Sequence, residues 1–370
     1  MDSTTRATRI EALRRRMHDV GIDLVALAPS DNLRYVVGFS PVADERACML
    51  LVTSDAALVL MPSLNAEQAV AEAPELELVT WDDDAGPSGA LREALARGGG
   101  DAARRAGADS EMRADHLLLL QEAIPEAAFV AASVVVDPLR EVKSGDELGA
   151  LQAAARTADD AIRAAFAACR PGVTELDVAE AAAAGFRAAG CEDVLMTIVG
   201  GGPNGAYPHH HTGRRELEPG DPVVIDLVAR LGGYASDITR MAFVGTPSER
   251  YLEVHGVVEA AVQAGLAAAR PGVTCHEVDA AARGVIEDAG FGKWFVHRTG
   301  HGLGLSVHEP PWIMRGEEVA LRQGMVHSIE PGIYLSGEFG VRLEEIVHVT
   351  AEGCERFSGL SRELHVVLQD

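Results

Sequence analysis

Lysine is nearly absent from this chain. Lys143 and Lys293 are the only two in 370 residues, so arginine carries almost all of the positive charge. Basic residues are also scarce beside acidic ones, 32 against 56, for a formal net charge of −24. Such a balance argues against binding nucleic acid or anionic membrane. Long apolar runs are missing as well, and nothing approaches the roughly 18 uninterrupted apolar residues of a membrane span. The five cysteines, at positions 48, 169, 191, 275 and 354, are odd in number and contain no C-x-x-C pair. That pattern predicts reduced thiols in a cytoplasmic protein rather than a disulfide framework. The first twenty residues are charged and place Ile10, Leu13, Met17 and Val20 at helical spacing. They read as an amphipathic helix, not as a signal peptide.

What is present suits two domains. From Ile22 to about Val136, short apolar runs alternate with amphipathic stretches. Strands are predicted at Ile22–Ala28, Cys48–Thr53, Ala57–Met61 and Leu76–Trp81, with helices near Leu64–Ala73 and Gly89–Arg97 and a loop at Gly98-Gly99-Gly100. This is a mixed α/β domain without a cluster of ligand or nucleophile type. Its Cys48 and His116 read as packing and surface residues. Asp137-Pro138 breaks the pattern, so the predicted domains are 1–136 and 137–370. Ser144-x-x-Glu147 is a capping box opening a long helix to about Cys169, with apolar spacing at Leu148, Leu151, Ala155, Ile162 and Phe166.

The second domain repeats itself. Arg170-Pro-Gly-Val-Thr174 recurs as Arg270-Pro-Gly-Val-Thr274, and each copy runs through a helical stretch to Ala-Gly, at 189–190 and 289–290. Thr174 and Thr274 are natural N-caps with an acid three residues on (Asp177, Glu277), and Gly190 and Gly290 are natural helix ends. A strand pattern then recurs, Leu217-x-x-Gly220 to Asp226 against Leu321-x-x-Gly324 to Glu330. The run Val223–Arg240, with Gly232-Gly233 in its middle, has the form of a hairpin, and each strand offers an acid, Asp226 and Asp237. Either aspartate alone reads equally well as a turn or cap residue. The recurrence separates the readings: Asp226 and Glu330 hold equivalent places, and Glu344 is a looser counterpart of Asp237. Two halves offering two carboxylates each would bring four like charges together, which calls for divalent cations.

The same domain holds most of the histidines. His209-His210-His211 follows a glycine-rich loop, and His210 and His211 also read as ordinary solvated residues. His301 is flanked by Gly300 and Gly302, where backbone can approach closely, and His308 stands seven residues on.

Five segments in order, G-P-N-G-A-Y-P-H-H, I-D-(x10)-D-I-T-R, H-R-T-G-H-G-L-G-(x3)-H-E-P-P, I-E-P-G and V-R-L-E-E, resemble the pita-bread metallopeptidases of the Xaa-Pro branch, prolidase and aminopeptidase P. The first domain, with N-L-R-Y-V-V-G-F at Asn32–Phe39, resembles the creatinase-like N-terminal domain. The resemblance implies a two-domain α/β (α+β) chain, a creatinase-like domain followed by a pseudo-twofold pita-bread catalytic domain. It implies a pair of divalent ions held by Asp226, Asp237, His301, Glu330 and Glu344, with His209, His297, His308 and Arg342 as further active-site residues. The oxygen-rich set favours Mn²⁺, with Co²⁺, Fe²⁺ and Zn²⁺ as alternatives. The expected reaction is hydrolysis of Xaa-Pro bonds, in dipeptides or at peptide N-termini, by a hydroxide bridging two metals about 3.5–4 Å apart. Glu330 would relay the proton, and His308 or His209 would steady the oxyanion. A homodimer is implied, with the N-terminal domain of one chain near the catalytic mouth of the other. The fold leaves creatinase-like or ectoine-hydrolase-like small-molecule hydrolysis or lysis as the alternative chemistry. Val228-Ala229-Arg230 departs from the family, which usually has a glycine there, and the departure bears on substrate range more than on metal binding.

Overall fold

The computed structural model describes residues 1–367, and every element named here lies among them. The chain forms two compact units, Met1–Arg140 and the remainder from Glu141.

The first unit opens on helix Ser3–Val20, capped by the Asp2 carboxylate and ended by Gly21 at φ 66°. Its Ile10, Leu13 and Met17 are buried, as their spacing requires. The unit's sheet has six strands in the order Glu77–Trp81, Ala57–Pro62, Met49–Val52, Leu24–Leu27, Arg105–Ala108 and Ala128–Ala131. Leu24–Leu27 pairs antiparallel on one side and parallel on the other, and all four of its residues are buried. The four expected strands and two expected helices form. Three helices that the reading left out, Asp31–Val37, Ala114–Ala123 and Ser133–Arg140, also form, as do the strands Arg105–Ala108 and Ala128–Ala131. Arg-Ala-Gly-Ala contains no β-branched residue, so its strand state comes from its place beside Leu24–Leu27. Asp137-Pro138 lies inside helix Ser133–Arg140, and the compact division falls after Arg140. Cys48 is buried, which pushes its thiol up to about 12. His116 is buried rather than on the surface, its ring against the Glu45 carbonyl at 3.2 Å.

The second unit is built twice. Helices Gly145–Ala168 and Glu175–Ala188 cover a four-stranded sheet ordered His365–Val367, Tyr234–Val244, Pro222–Leu231, Asp193–Gly201. Helices Glu249–Ala268 and Cys275–Asp288 belong to the other half, whose five-stranded sheet runs Glu309–Ile313, Gly300–Gly302, Val326–Ile329, Glu345–Val349, Cys354–Arg356. Ser144, Thr174 and Thr274 all form complete capping boxes, each worth about 1 kcal/mol at its N-cap. The repeat extends to single hydrogen bonds. Gly172 N–H donates to Leu217 as Gly272 N–H does to Leu321, and Gly220 to Val244 as Gly324 does to Val349.

This register corrects one expectation. Ile225 pairs with Arg240 in the first half and Ile329 with Glu345 in the second. Asp226 and Glu330 are therefore equivalent, but the counterpart of Glu344 is Thr239, not Asp237. Counting back two residues along each strand, the place of Asp237 is taken by Arg342. The halves diverge because the first hairpin turns tightly at Gly232-Gly233, whereas the second interposes the ribbon Gly332–Leu335/Phe339–Arg342. The equivalent residues Arg240 and Glu345 form a fully buried ion pair at 3.1 Å.

The five cysteines are free. Among the described residues no helix is long and apolar enough to cross a membrane.

Candidate active site

Strand pairing brings the acids together. Asp226 stands opposite Thr239, and Asp237 lies two residues before Thr239 on the same strand. The two side chains thus share one face of the hairpin, as diagonal neighbours. Glu330 follows strand Val326–Ile329 directly, and Glu344 precedes Glu345–Val349. His301 is the middle residue of Gly300–Gly302, and its flanking glycines are obligatory: a Cβ on Gly300 would collide with the Ser328 carbonyl, and one on Gly302 with that of Pro310.

The result is a set of interlocking donor trios. Ligand-type atoms of Asp226, Asp237 and Glu344 lie within 4.8 Å of one another, as do those of His301, Glu330 and Glu344, and those of Asp237, His301 and His308. The hydrogen bonding of these acids matches what cation ligands need. Asp226 Oδ2 is held by Arg342 Nη2, and Glu344 Oε2 by the Thr239 hydroxyl at 2.9 Å. Their other oxygens, Oδ1 and Oε1, are buried without a partner. A buried carboxylate oxygen left bare is costly, so each acid has one oxygen pinned and one available to a cation. His301 Nδ1–H donates to the Gly302 carbonyl at 3.1 Å, leaving Nε2 facing Glu330 Oε1 at 3.1 Å and Asp237 Oδ2 at 3.8 Å. The donor set fits a pair of divalent ions.

The protonation equilibria agree. Burial, reinforced by Glu344, Asp226 and Glu330, pushes Asp237 well above the ordinary carboxylate range. Glu344 is raised in the same way, and Asp226 is raised despite Arg342 because burial outweighs that partner. Glu330 is the exception. Burial opposes its ionisation, but the hydrogen bond and charge of His301 win and hold it low.

The acids, His301 and the remaining candidates line one cavity of about 510 Å³ with Met196, Pro208 and Arg298. His209 is exposed within that cavity. His210 turns away and meets the buried carboxylate of Glu175 at 2.9 Å, and His211 is exposed. His308 lies edge-on to His301, ring centroids 4.2 Å apart, and partial burial lowers its pKa to about 4. His297 and Arg342 are occupied. Arg342 Nη1 donates to the Tyr334 hydroxyl at 2.8 Å, that hydroxyl to His297 Nε2 at 2.8 Å, and His297 Nδ1–H to the Arg298 carbonyl at 2.7 Å. They form a hydrogen-bonded chain along the wall of the cavity.

The metallopeptidase family M24 model matches residues 149–351, and the creatinase/prolidase N-terminal domain model matches 9–142. The chain belongs to metallopeptidase family M24. It is a peptidase with a creatinase-like first domain, and its family implies divalent metal. A probable dipeptidase, PepE of Mycobacterium tuberculosis, is 38% identical over 99% of this chain and 98% of its own length. An Xaa-Pro dipeptidase of Lactobacillus helveticus is 33% identical over 97% and 98%. The crystal structure of dipeptidase PepE from Mycobacterium ulcerans superposes with a TM-score of 0.94 at 36% identity, covering 100% of both chains.

Four residues of this M24 chain escaped the sequence reading as parts of its site. Thr239 and Tyr334 stand inside quoted segments or just beyond them, D-I-T-R and I-E-P-G-I-Y, but nothing in a hydroxyl's spacing announces that it orients a neighbouring acid or arginine. Glu175 and Asp279 are buried on the two short helices. Glu175 accepts from the Gly201 and Gly213 amides, Asn204 and His210, and so braces the loop bearing His209. Asp279 accepts from Thr299 and Arg283, bracing the segment that leads to His301.

Proposed function

We propose that this M24 peptidase hydrolyses Xaa-Pro bonds with two divalent ions, Mn²⁺ by preference, held by Asp226, Asp237, His301, Glu330 and Glu344. The observation that carries the reading is the convergence of these five donors with bare oxygens on Asp226 and Glu344. The substrate class follows the activity named for the full-length relative, an Xaa-Pro dipeptidase. Oxygen donors with one imidazole suit Mn²⁺ over a thiophilic ion.

When bound, the ions supply Lewis acidity to the scissile carbonyl and lower the pKa of a water. Glu330, steadied by the Ser328 hydroxyl at 2.9 Å, takes the proton of the attacking water on a carboxylate oxygen. It then delivers that proton to the prolyl nitrogen, which as a tertiary amide has no N–H of its own. His308 and His209, on the open side of the acids, donate to the carbonyl oxygen as negative charge gathers there. Arg342 and Thr239 hold Asp226 and Glu344 in orientation and take no part in proton transfer. Asp226, Asp237 and Glu344 are buried at the inner wall of the cavity.

Hydrolysis of Ala-Pro, Ala-Pro-Ala and Ala-Ala, measured with Mn²⁺, tests the reading. The two proline substrates together should exceed Ala-Ala by at least tenfold in kcat/KM; equal rates on Ala-Pro and Ala-Ala would refute the assignment. The reading carries a homodimer with it, and light scattering at micromolar concentration should report twice the 39.0 kDa chain mass. A monomer there removes the dimer from the proposal.

A further inference from the structure

We propose that Lys143 is a positioning residue for His308, acting through the carboxylate of Glu309. The inference rests on the reading above, in which His308 meets the reacting carbonyl. Lys143 is remote from His308 in sequence but is fixed against the same half of the second unit. Its N–H donates to the Gly324 carbonyl at 2.9 Å, and Val142 bridges to Met325, just ahead of strand Val326–Ile329. The lysine side chain, only 2% exposed, meets Glu309 Oε1 at 2.8 Å, and the Glu309 side chain is only 5% exposed. An ion pair this deeply buried adds little net stability over an apolar pair of the same size, but loss of one partner is costly. Its value lies in what it holds in place.

What it holds is the loop that carries His308. Gly302 pairs with Glu309 in the strand register, so residues 303–308 form the whole connection between them. The Glu309 carboxylate fills the inside of that loop. A Cβ on Gly304 would collide with both of its oxygens, and Oε2 accepts from the Ser306 N–H at 3.4 Å. Lys143 pins the other oxygen from outside the loop. His308, the residue next to Glu309, is exposed at the cavity. Among the described residues no hydrogen bond holds its ring, so the loop backbone sets where that ring stands. His301 is secured differently, by its N–H on the Ser328 hydroxyl at 2.9 Å and its Nδ1–H on the Gly302 carbonyl. Loss of Lys143 should therefore displace His308 and leave the candidate metal ligand in place.

The test measures kcat and KM for Ala-Pro with Mn²⁺ in wild type, Lys143→Met, His308→Ala and the two combined, beside Mn²⁺ stoichiometry. Lys143→Met should lower kcat by about 10- to 100-fold, the cost of a misplacement near 1 Å. KM should change little, and two Mn²⁺ per chain should remain. The combined variant should fall within about threefold of His308→Ala alone, because both changes remove one contribution. Lys143→Arg, which keeps the charge, should recover part of the lost kcat. Lys143→Met leaves the Glu309 charge buried alone; if it does not fold, Lys143→Met/Glu309→Gln, which buries no charge, enters the same cycle with the same expectation. Hydrogen exchange over residues 303–308, read in metal-free protein, should quicken in whichever variant is used. Equal losses of kcat with and without His308, loss of Mn²⁺ along with kcat, or full kcat in the lysine variant each overturn this proposal and leave the Xaa-Pro reading standing. A fully active His308→Ala overturns the oxyanion role of His308 and this inference with it, and a wild type inert toward Ala-Pro overturns the whole reading.

Discussion

Asp237→Asn is expected to lose metal and nearly all activity, and yet to be more stable than wild type once both are stripped of metal at pH 8. Asp237 is buried among Asp226, Glu330 and Glu344, and the Arg342 charge only partly offsets them. Its carboxyl is raised well above the ordinary range by burial first and by those acids second. The sign follows from linkage. The unfolded group titrates near 3.9, so below about pH 4 folded and unfolded forms are both protonated and stability is complete. As pH rises above that value toward the raised folded pKa, the unfolded chain ionises more readily than the folded one, and metal-free stability declines. Asparagine removes the charge and the decline with it. Metal reverses the order. Ions at a thousandfold excess over Kd stabilise the folded form by about 4 kcal/mol, on the order of 10 °C in midpoint for a unit of this size. Calorimetry of chelated and Mn²⁺-loaded forms at pH 5 and pH 8, beside elemental analysis, checks every part. An Asp237→Asn protein that binds two Mn²⁺ per chain, or that melts below metal-free wild type at pH 8, contradicts the account.

The site was legible in the sequence to the extent that it was written twice. Asp226 and Glu330 stand at the same step of two recurring strand patterns, and the structure places them at equivalent points of two ladders. His301 announced itself through Gly300 and Gly302, which a close backbone approach demands. What escaped was information held only between strands. The pairing of Glu344 depends on how many residues the intervening connection absorbs, and the extra ribbon at 332–342 shifts the counterpart from Asp237 to Thr239. In the same way a residue type does not disclose whether its charge is spent. Geometry alone shows Arg342 consumed by Asp226 and Arg298 stacked on Trp312. In the first domain, Arg105–Ala108 is a strand through its neighbours and not through its residues, which no local pattern conveys.

His308→Ala and His301→Ala should separate two roles within one short segment. The two rings meet edge to edge with centroids 4.2 Å apart, and Asp237, His301 and His308 form a trio of ligand-type atoms within 4.8 Å. Proximity therefore does not distinguish a metal ligand from a group that meets the substrate. Burial and completeness do. His301 is buried, with Nδ1 pinned by a carbonyl and Nε2 turned to Glu330, while His308 is exposed at the open side of the cavity. The trios of Asp226, Asp237 and Glu344, and of His301, Glu330 and Glu344, already supply both ions without it. His308→Ala should then keep two Mn²⁺ per chain and lose about 10²- to 10³-fold in kcat, the cost of deleting one oxyanion donor (about 2.7–4 kcal/mol). His301→Ala should lose metal and activity together, and excess Mn²⁺ should restore neither in full. Metal stoichiometry measured beside kcat scores the pair. If His308→Ala sheds metal as His301→Ala does, His308 belongs among the ligands and the oxyanion falls to His209 alone.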